Sequence, residues 1–322
     1  MSEFFTSLEL CAGAGGQALG LEAAGFEHLA LFENDEAACN TLRLNRPNWR
    51  VEERDLFDHF DFSEFAGADL LAGGLPCPPF SIAGKQLGRN DERNLFDVGV
   101  NIADVVRPKA IMFENVRGMM SKRFEEYRSW IDHRLEHMGY RVEWKLLLSS
   151  EYGVPQLRPR TLLVAIRQDL ADGFCWPESV YPAPTVGDTL YDLMASKGWK
   201  GASSWRRRAD SIAPTLVGGS KKHGGPDLGP TRAREAWAKL GVNGGSLAES
   251  PPEADFSGMP RLTVRMAARI QGFPDEWGIW GKKTSAYRQV GNAFPPPVAK
   301  AVGQQIKQAL TARQNFVSVA SQ

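Results

Sequence analysis

The stretch Leu8-Glu9-Leu10-Cys11-Ala12-Gly13-Ala14-Gly15-Gly16 runs from an apolar strand into a glycine turn and then into a helix. The three glycines let the main chain approach a ligand closely. Their spacing differs from the Gly-x-Gly-x-x-Gly pattern of dinucleotide sites. Taken alone, the turn is compatible with a dinucleotide site, with an adenosyl-methionine site or with a tight connection.

The residues around this turn alternate between strand patterns and helix patterns. Strands are predicted at 5–11, 28–33, 50–53, 69–73, 109–113, 141–149 and 161–167, and helices at 16–24, 35–45, 95–106 and 124–138. Such alternation is typical of a mostly parallel sheet with helices on both faces. The sequence therefore predicts an α/β fold with a doubly wound, Rossmann-like sheet.

The composition of the chain changes near residue 168. From there to about residue 260 the chain is rich in Gly, Pro, Ser and charged residues, with four scattered tryptophans. Disorder is one interpretation, but the tryptophans favour a folded, irregular module. Helix patterns return after residue 261. We therefore predict a discontinuous α/β domain of residues 1–167 and 261–322, interrupted by a smaller domain of residues 168–260.

Charge and cysteine content argue against a strongly basic nucleic-acid binder, a disulfide-rich protein and a metal-binding protein. The 322 residues carry 38 basic and 38 acidic side chains, so net charge does not drive binding to nucleic acid. Basic clusters at 206–208 and 221–222 favour a binder that uses a limited cleft. Four widely spaced cysteines indicate neither a disulfide framework nor a metal site. Because no signal peptide and no long apolar run is present, we expect a cytoplasmic protein that does not contact membranes.

A lone thiol follows the predicted strand at 69–73. The loop Pro76-Cys77-Pro78-Pro79-Phe80-Ser81 places Cys77 at the carboxyl end of that strand, where open α/β sheets bind their ligands. A nucleophile and a small buried apolar side chain are both compatible with this position.

Two acidic residues stand at the ends of successive strands. Glu33 ends the strand at 28–33, where it could accept hydrogen bonds from ribose hydroxyls, and Asp55 follows the short strand at 50–53, where it could accept from an adenine amino group. Either residue alone could be a surface cap. Together they favour an adenosine ligand.

Seven short segments, taken in order, resemble the motifs of the cytosine-C5 DNA methyltransferases. They are Glu9–Gly16, Pro76-Cys77, the loop Phe80–Gly88 with Asp91-x-Arg93-x-Leu95-Phe96, Phe113-Glu114-Asn115-Val116, Gln156-x-Arg158-x-Arg160, Arg261–Arg265 and Gln289–Ala293. Any one of them would be a weak signal, but seven in family order are specific. Two departures stand out: Cys11 replaces a phenylalanine, and Pro78 replaces a glutamine.

The resemblance implies a class I fold that uses S-adenosylmethionine, with S-adenosylhomocysteine as product. Cys77 would add to carbon 6 of a cytosine flipped out of duplex DNA, since carbon 5 is otherwise too poor a nucleophile. Glu114 would hold N3 and the exocyclic amine, and Arg160 would donate to O2. Arg158 would brace the catalytic loop or a carboxylate. The alternatives are an ion-pair partner for Glu114 and a basic strand edge for either arginine.

The resemblance also implies two sets of binding residues. Those expected to bind the cofactor are Leu10, Cys11, Ala12, Gly13, Gly15, Gly16, Glu33, Asn34, Asp55, Leu56, Asn292 and Ala293. Those expected to bind DNA are Ser81, Ala83, Lys85, Gln86, Arg89, Thr215, Lys221 and Lys222. Residues 168–260 would recognise the target sequence.

Other functions fit this chain less well. A transfer-RNA cytosine-C5 methyltransferase would carry a Cys-Phe-Thr string, which this sequence lacks. A nicotinamide-dependent oxidoreductase would need the dinucleotide glycine pattern, and a non-catalytic DNA-binding relative would need neither Cys77 nor Glu114. We therefore expect a DNA (cytosine-5-)-methyltransferase of the bacterial or phage modification type. It would act on double-stranded DNA as a monomer, alongside a companion restriction endonuclease that need not bind it.

Overall fold

A seven-stranded sheet forms the centre of the α/β domain. The computed structural model describes residues 4–76, 94–179, 182–219 and 225–320, with side chains to residue 312. The strands of this sheet are β1 (Phe5–Leu10), β2 (Phe26–Glu33), β3 (Val51–Glu53), β4 (Leu70–Gly73), β5 (Ala110–Val116), β6 (Tyr140–Leu148) and β8 (Pro159–Arg167), and the order across the sheet is β3-β2-β1-β4-β5-β8-β6. Only β8 runs antiparallel to its neighbours β5 and β6. The predicted α/β fold class is confirmed.

Helices cover both faces of the sheet. They are α1 (Gly16–Ala24), α2 (Glu36–Asn45), α3 (Leu95–Val106), α4 (Glu125–His137) and the long C-terminal α10 (Pro296–Ala320). Alternate residues of β1 serve the two faces: Leu8 and Leu10 pack in the cluster with α3 and α4, while Phe5 packs in the cluster with α1 and α10. Among the helices of the described ranges, none combines the length and the apolar character needed to cross a bilayer.

The segment 168–260 contains more regular structure than its Gly and Pro content indicates. Three helices lie within it, α5 (Val186–Ala195), α6 (Ala202–Arg208) and α7 (Thr231–Lys239), together with a two-residue strand β9 (Ala213–Pro214) that pairs with β7 (Gln156–Leu157). Trp199, Trp205 and Trp237 are buried together. They supply the large apolar surface from which a loop-rich segment can form a core.

The apolar core of this module extends into the C-terminal part of the chain. The same cluster includes residues of α8 (Val264–Ile270) and α9 (Lys283–Asn292). In contrast, Leu170 and Phe174 pack in the cluster with α10. Packing therefore joins α8 and α9 to the middle segment, and joins the first residues after 167 to the sheet.

The half-buried side chain of His28 links β1, β2 and α1. Its Nε2 lies 3.0 Å from the carbonyl oxygen of Ala18, so Nε2 donates, and its Nδ1 accepts from Ser7 Oγ at 2.8 Å. The ring also packs edge-on against Trp49, with centroids 4.7 Å apart. These contacts fit the neutral imidazole, and burial lowers the pKa of His28 to about 4.

We expect the free energy of unfolding to fall as the pH decreases from about 6.5 towards 4. Over this range the unfolded chain binds a proton on His28 and the folded chain does not, which amounts to a loss of about 3 kcal/mol. In denaturant unfolding between pH 7 and 5, the free energy of unfolding of His28→Gln should fall less steeply with decreasing pH than that of the parent chain. His133→Gln, at an exposed position, is the matched control. An unchanged slope in His28→Gln would contradict this assignment.

Candidate active site

A cavity of about 580 Å³ opens at the carboxyl ends of the parallel strands. The size is that of an ordinary small-molecule site. The lining comes from the glycine turn after β1, the ends of β2, β4 and β5, the start of β8 and the end of α9. Open α/β sheets bind ligands at this edge, so the position agrees with the sequence-based expectation.

The glycine turn forms one wall of the cavity. Cys11, Gly13 and Gly15 have φ angles of 53°, 55° and 82°, in the left-handed region. A side chain at Gly13 would meet no atom within 4 Å, whereas at Gly15 its Cβ would lie 2.7 Å from Leu42 Cδ2. Gly13 thus leaves space open for a ligand, and Gly15 allows the turn to pack against α2. Cys11 adopts its conformation without the freedom of glycine.

Glu33 connects the turn to the end of β2. Its Oε2 accepts from the Gly13 N–H at 2.7 Å, and its Oε1 accepts from the N–H groups of Asn34 and Asp35 at 2.9 and 2.8 Å. Burial raises the pKa of Glu33, and the three N–H groups oppose that change. Because each carboxylate oxygen can accept more than one hydrogen bond, the side chain can still accept from ribose hydroxyls.

The other acidic residue lies across the cavity from the turn. Asp55 accepts from Asn34 Nδ2 at 3.1 Å and from the Phe57 N–H at 3.1 Å, and Leu56 lines the same wall. Asn34 therefore joins the two acids. Two carboxylates with the capacity to accept hydrogen bonds and an apolar side chain in one cavity fit an adenosine group, such as that of S-adenosylmethionine.

The C-terminal part of the chain completes this cavity. Asn292 and Ala293 line it at the end of α9, followed by Phe294. Asn292 Nδ2 also donates to the carbonyl oxygen of Gly219 at 3.1 Å. Of the expected cofactor residues, nine line the cavity, namely Cys11, Ala12, Gly13, Glu33, Asn34, Asp55, Leu56, Asn292 and Ala293. Leu10, Gly15 and Gly16 lie behind it in the strand and turn.

A carboxylate and a guanidinium that both line the cavity face each other. Glu114 on β5 is paired with Leu162 on β8, and Arg160, two residues earlier on β8, lies on the same face. Arg160 Nε is 2.6 Å from Glu114 Oε1, although neither atom has a directed hydrogen bond within the described ranges. Burial raises the pKa of Glu114, and the charges of Arg160 and Arg158 partly lower it again. The carboxyl group is therefore suited to share a proton with a bound base.

Asn115 holds the main chain that leads towards Cys77. Its Nδ2 donates to the carbonyl oxygen of Leu75 at 2.9 Å. A Cβ added at Gly74 would lie 3.5 Å from Glu114 Oε2, so this segment passes directly beside the carboxylate. Several predicted site residues lie outside the described residues: Cys77, Ser81, Ala83, Lys85, Gln86, Arg89, Lys221 and Lys222.

Arg158 lies elsewhere than the sequence suggested. We expected it to brace the catalytic loop or a carboxylate, yet its side chain is absent from the cavity lining and fully buried. Its guanidinium donates to the main-chain oxygens of Leu216, Gly291 and Ala293 at 2.9, 2.8 and 3.0 Å. The strand is interrupted between β7 and β8 at this residue, so the alternation that orients Arg160 does not apply to it.

Thr215, expected to bind DNA, bonds within the protein. Its Oγ1 donates to the carbonyl oxygen of Leu157 at 2.5 Å, and the next N–H, of Leu216, donates to Gln156 Oε1 at 2.8 Å. The side chain of Thr215 is thus fixed beside β7, which precedes the strand β8 that carries Arg160.

Two polar residues near the cavity were not anticipated. Gln17, at the start of α1, lines the cavity, and its amide atoms are buried with no partner within the described ranges. Glu9 is fully buried below the turn, and burial raises the pKa of its carboxyl group well above the usual value. The position of Gln17 directly after the glycine turn was the only available sequence signal.

Comparison with known proteins identifies the family of this chain. The model of the C-5 cytosine-specific DNA methylase family matches residues 5–308. The Type II methyltransferase M.NaeI of Lentzea aerocolonigenes is 56% identical over 308 residues, which cover 94% of this chain and 75% of that protein. The Type II methyltransferase M.NgoMIV of Neisseria gonorrhoeae is 54% identical over 310 residues, which cover 95% of this chain and 98% of that protein.

Solved structures show the same fold at lower identity. A putative DNA modification methyltransferase encoded within an E. coli prophage superposes with a TM-score of 0.67 at 23% identity, covering 95% of this chain and 99% of that one. Spodoptera frugiperda DNMT2 superposes with a TM-score of 0.64 at 18% identity over the same shares. The chain belongs to the C-5 cytosine-specific DNA methylase family, and its activity is the transfer of a methyl group from S-adenosylmethionine to carbon 5 of cytosine in DNA.

Proposed function

We propose that this enzyme modifies cytosine within one short sequence of duplex DNA, and that Glu114 and Arg160 bind the flipped base. The observation that carries this proposal is their 2.6 Å contact in the lining of the same cavity as Glu33 and Asp55. A base stacked in a duplex could not reach this position, so the target cytosine has to leave the helix, at a cost of a few kcal/mol.

Within this proposal Cys77 is the nucleophile. Its thiolate forms a bond to carbon 6 of the ring, and the electron pair of the C5–C6 double bond becomes available at carbon 5. S-adenosylmethionine supplies the methyl group as an electrophilic sulfonium. The C5 proton then leaves to water, the C5–C6 double bond re-forms, and the sulfur of Cys77 departs with the electron pair of the C6–S bond.

Glu114 and Arg160 stabilise the ring while Cys77 adds to it. Glu114 shares its proton with N3 and accepts from the exocyclic amine, which offsets the negative charge that develops during the addition. Arg160 donates to O2 and keeps Glu114 in place through their ion pair. Burial raises the pKa of Glu114, which favours this proton-sharing role.

The cofactor residues have separate roles in this proposal. Glu33 accepts from the ribose hydroxyls, Asp55 and Leu56 hold the adenine, and Asn292 with Ala293 contacts the methionyl end. The glycine turn lets the main chain approach the ligand at Gly13. These assignments rest on the hydrogen-bonding capacity that remains at each group.

Target recognition is assigned to residues 168–260, with residues 1–167 and 261–322 as the catalytic domain. Among the basic residues there, Arg206 pairs with Asp188 at 2.7 Å and Arg208 donates to the carbonyl oxygens at the end of α7. Arg207, Arg232 and Arg234 are exposed. These three are the better candidates for contacts with phosphates or base edges.

We further propose that the enzyme acts as a monomer in the cytoplasm, alongside a restriction endonuclease that recognises the same sequence. The support is the Type II designation of both related methyltransferases. A single flipped base requires one active site. Light scattering should give the mass of one chain for the purified enzyme, and the mass of one chain plus one duplex for the complex with DNA.

Bisulfite sequencing of DNA from bacteria expressing this protein tests the proposed function. The host should lack cytosine-C5 methylation of its own. We expect conversion-resistant cytosines at one short sequence, and none in cells expressing the Cys77→Ser variant. In vitro, labelled methyl groups should enter duplex DNA and not transfer RNA. Methylation scattered without a common sequence, or confined to RNA, would overturn the proposal.

A further inference from the structure

A fully buried arginine connects three separate parts of the chain. Arg158 donates through Nη1 to Leu216 and through Nη2 to Gly291 and Ala293, all at main-chain carbonyl oxygens. Leu216 belongs to the segment assigned to target recognition. Gly291 and Ala293 flank Asn292 at the edge of the cofactor cavity. One guanidinium therefore contacts both the recognition segment and the cofactor wall.

Two buried glutamines close a ring of hydrogen bonds around this arginine. Gln156 Nε2 donates to Gln271 Oε1 at 2.7 Å, and Gln156 Oε1 accepts from the Leu216 N–H at 2.8 Å. Gln271 Nε2 in turn donates to the carbonyl oxygen of Ala293, which Arg158 also contacts. All three side chains have zero exposure, so displacement of one member leaves polar groups buried without partners.

The recognition segment and the end of α9 are also in direct main-chain contact. A Cβ at Gly291 would lie 2.5 Å from Gly218 Cα, and a Cβ at Gly218 would lie 2.5 Å from Asn292 Oδ1. Asn292 donates to the carbonyl oxygen of Gly219 as well. Neither segment can shift here without moving the other.

We propose that Arg158 is a positioning residue that couples recognition of DNA to binding of the cofactor. Its hydrogen bonds hold residues 216–219 against residues 291–293, so ordering of either segment by its own ligand favours the bound arrangement of the other. Coupling of this kind is reciprocal: DNA raises the affinity for the cofactor by the same factor as the cofactor raises the affinity for DNA.

The chemistry of the side chain accounts for an arginine at this position. A guanidinium presents several N–H donors in fixed directions, which suits three carbonyl oxygens that converge from distant segments. A lysine carries the same charge on one mobile nitrogen and cannot hold the same geometry. Arg158→Lys therefore tests geometry at constant charge.

The first experiment measures the dissociation constant of S-adenosylhomocysteine with and without a duplex that carries the sequence mapped by bisulfite sequencing. In the parent enzyme the duplex should lower this constant about fivefold or more. In Arg158→Lys the ratio of the dissociation constant without the duplex to the constant with it should fall to within about twofold of one. Arg265→Lys is the matched control, because Arg265 also donates to main-chain oxygens, those of Phe273, Asp275 and Trp277, and none of these lines the cavity. A ratio near one in the parent enzyme, or an unchanged ratio in Arg158→Lys, would overturn the proposal.

A second experiment needs neither a variant nor DNA. Hydrogen–deuterium exchange of the parent enzyme should show that S-adenosylhomocysteine alone slows exchange of the Leu216, Val217 and Gly218 amides, none of which lines the cavity, at least about threefold. Exchange that slows only at residues lining the cavity would refute the coupling. Because this readout involves no methyl transfer, it can fail or succeed independently of the proposed target specificity.

Discussion

Cys77→Ser should lower the rate of methyl transfer by about 10⁴-fold or more, because removal of an enzymatic nucleophile leaves only the contribution of binding and orientation. A serine hydroxyl is far less acidic than a thiol, so it supplies almost no anion at neutral pH. The chain that leads to residue 77 is held beside Glu114 by the bond from Asn115 to Leu75. Folding and binding of the cofactor should therefore survive the substitution.

The covalent step can be observed directly on DNA containing 5-fluorocytosine. In the presence of S-adenosylmethionine the methyl group is transferred to carbon 5, but fluorine occupies the place of the hydrogen that must then leave, so the sulfur of Cys77 cannot depart and the enzyme remains attached to the DNA. The parent enzyme should form an adduct that resists denaturing electrophoresis, and Cys77→Ser should form none. Cys175→Ser, which removes an exposed free thiol, is the matched control and should behave as the parent. An adduct formed by Cys77→Ser would refute the assignment.

Glu114→Gln should lower the rate of methyl transfer by about 10² to 10⁴-fold, the usual contribution of a positioned acid or base. The glutamine amide offers one donor and one acceptor to the ring, so the base can still bind in the pocket. It cannot share a proton with N3, so the charge that develops during addition of Cys77 is no longer offset. The substitution should therefore lower kcat, with little change in the affinity for duplex DNA.

Single-turnover measurements separate the effect of Glu114→Gln on the transfer rate from its effect on the affinity for duplex DNA. We expect the dissociation constant for a duplex to stay within about threefold of the parent value while the transfer rate drops. Glu143→Gln is a suitable control, because Glu143 lies in the same sheet on β6 and accepts from the indole of Trp176, outside the cavity. A transfer rate within tenfold of the parent in Glu114→Gln would mean that Glu114 has only a structural role.

Local sequence patterns predicted much of the α/β domain. The helices at 16–24 and 95–106 have the predicted bounds, and Glu33 with Asp55 lies in one cavity as their positions at strand ends indicated. These features depend on residues close together in sequence. An apolar period, a glycine turn or a cap is sufficient to specify each of them.

The middle segment was less predictable. Its three helices are only seven to ten residues long, and their buried side chains pack in a cluster with tryptophans from distant positions. The core formed by these residues also includes α8 and α9, which sequence composition assigned to the other domain. Composition reports local residue content, whereas a core depends on which distant surfaces meet.

The two arginines of the Gln-x-Arg-x-Arg motif illustrate the difference between what the sequence determines and what only the tertiary structure determines. Sequence alone determined the family and the cofactor, since each depends on residue types in a fixed order. Only the tertiary structure showed that Arg160 pairs with Glu114 and that Arg158 is buried among carbonyl oxygens that lie 58 to 135 residues away in the chain. A buried guanidinium must find its acceptors wherever the fold brings them together, and that juxtaposition is a property of packing.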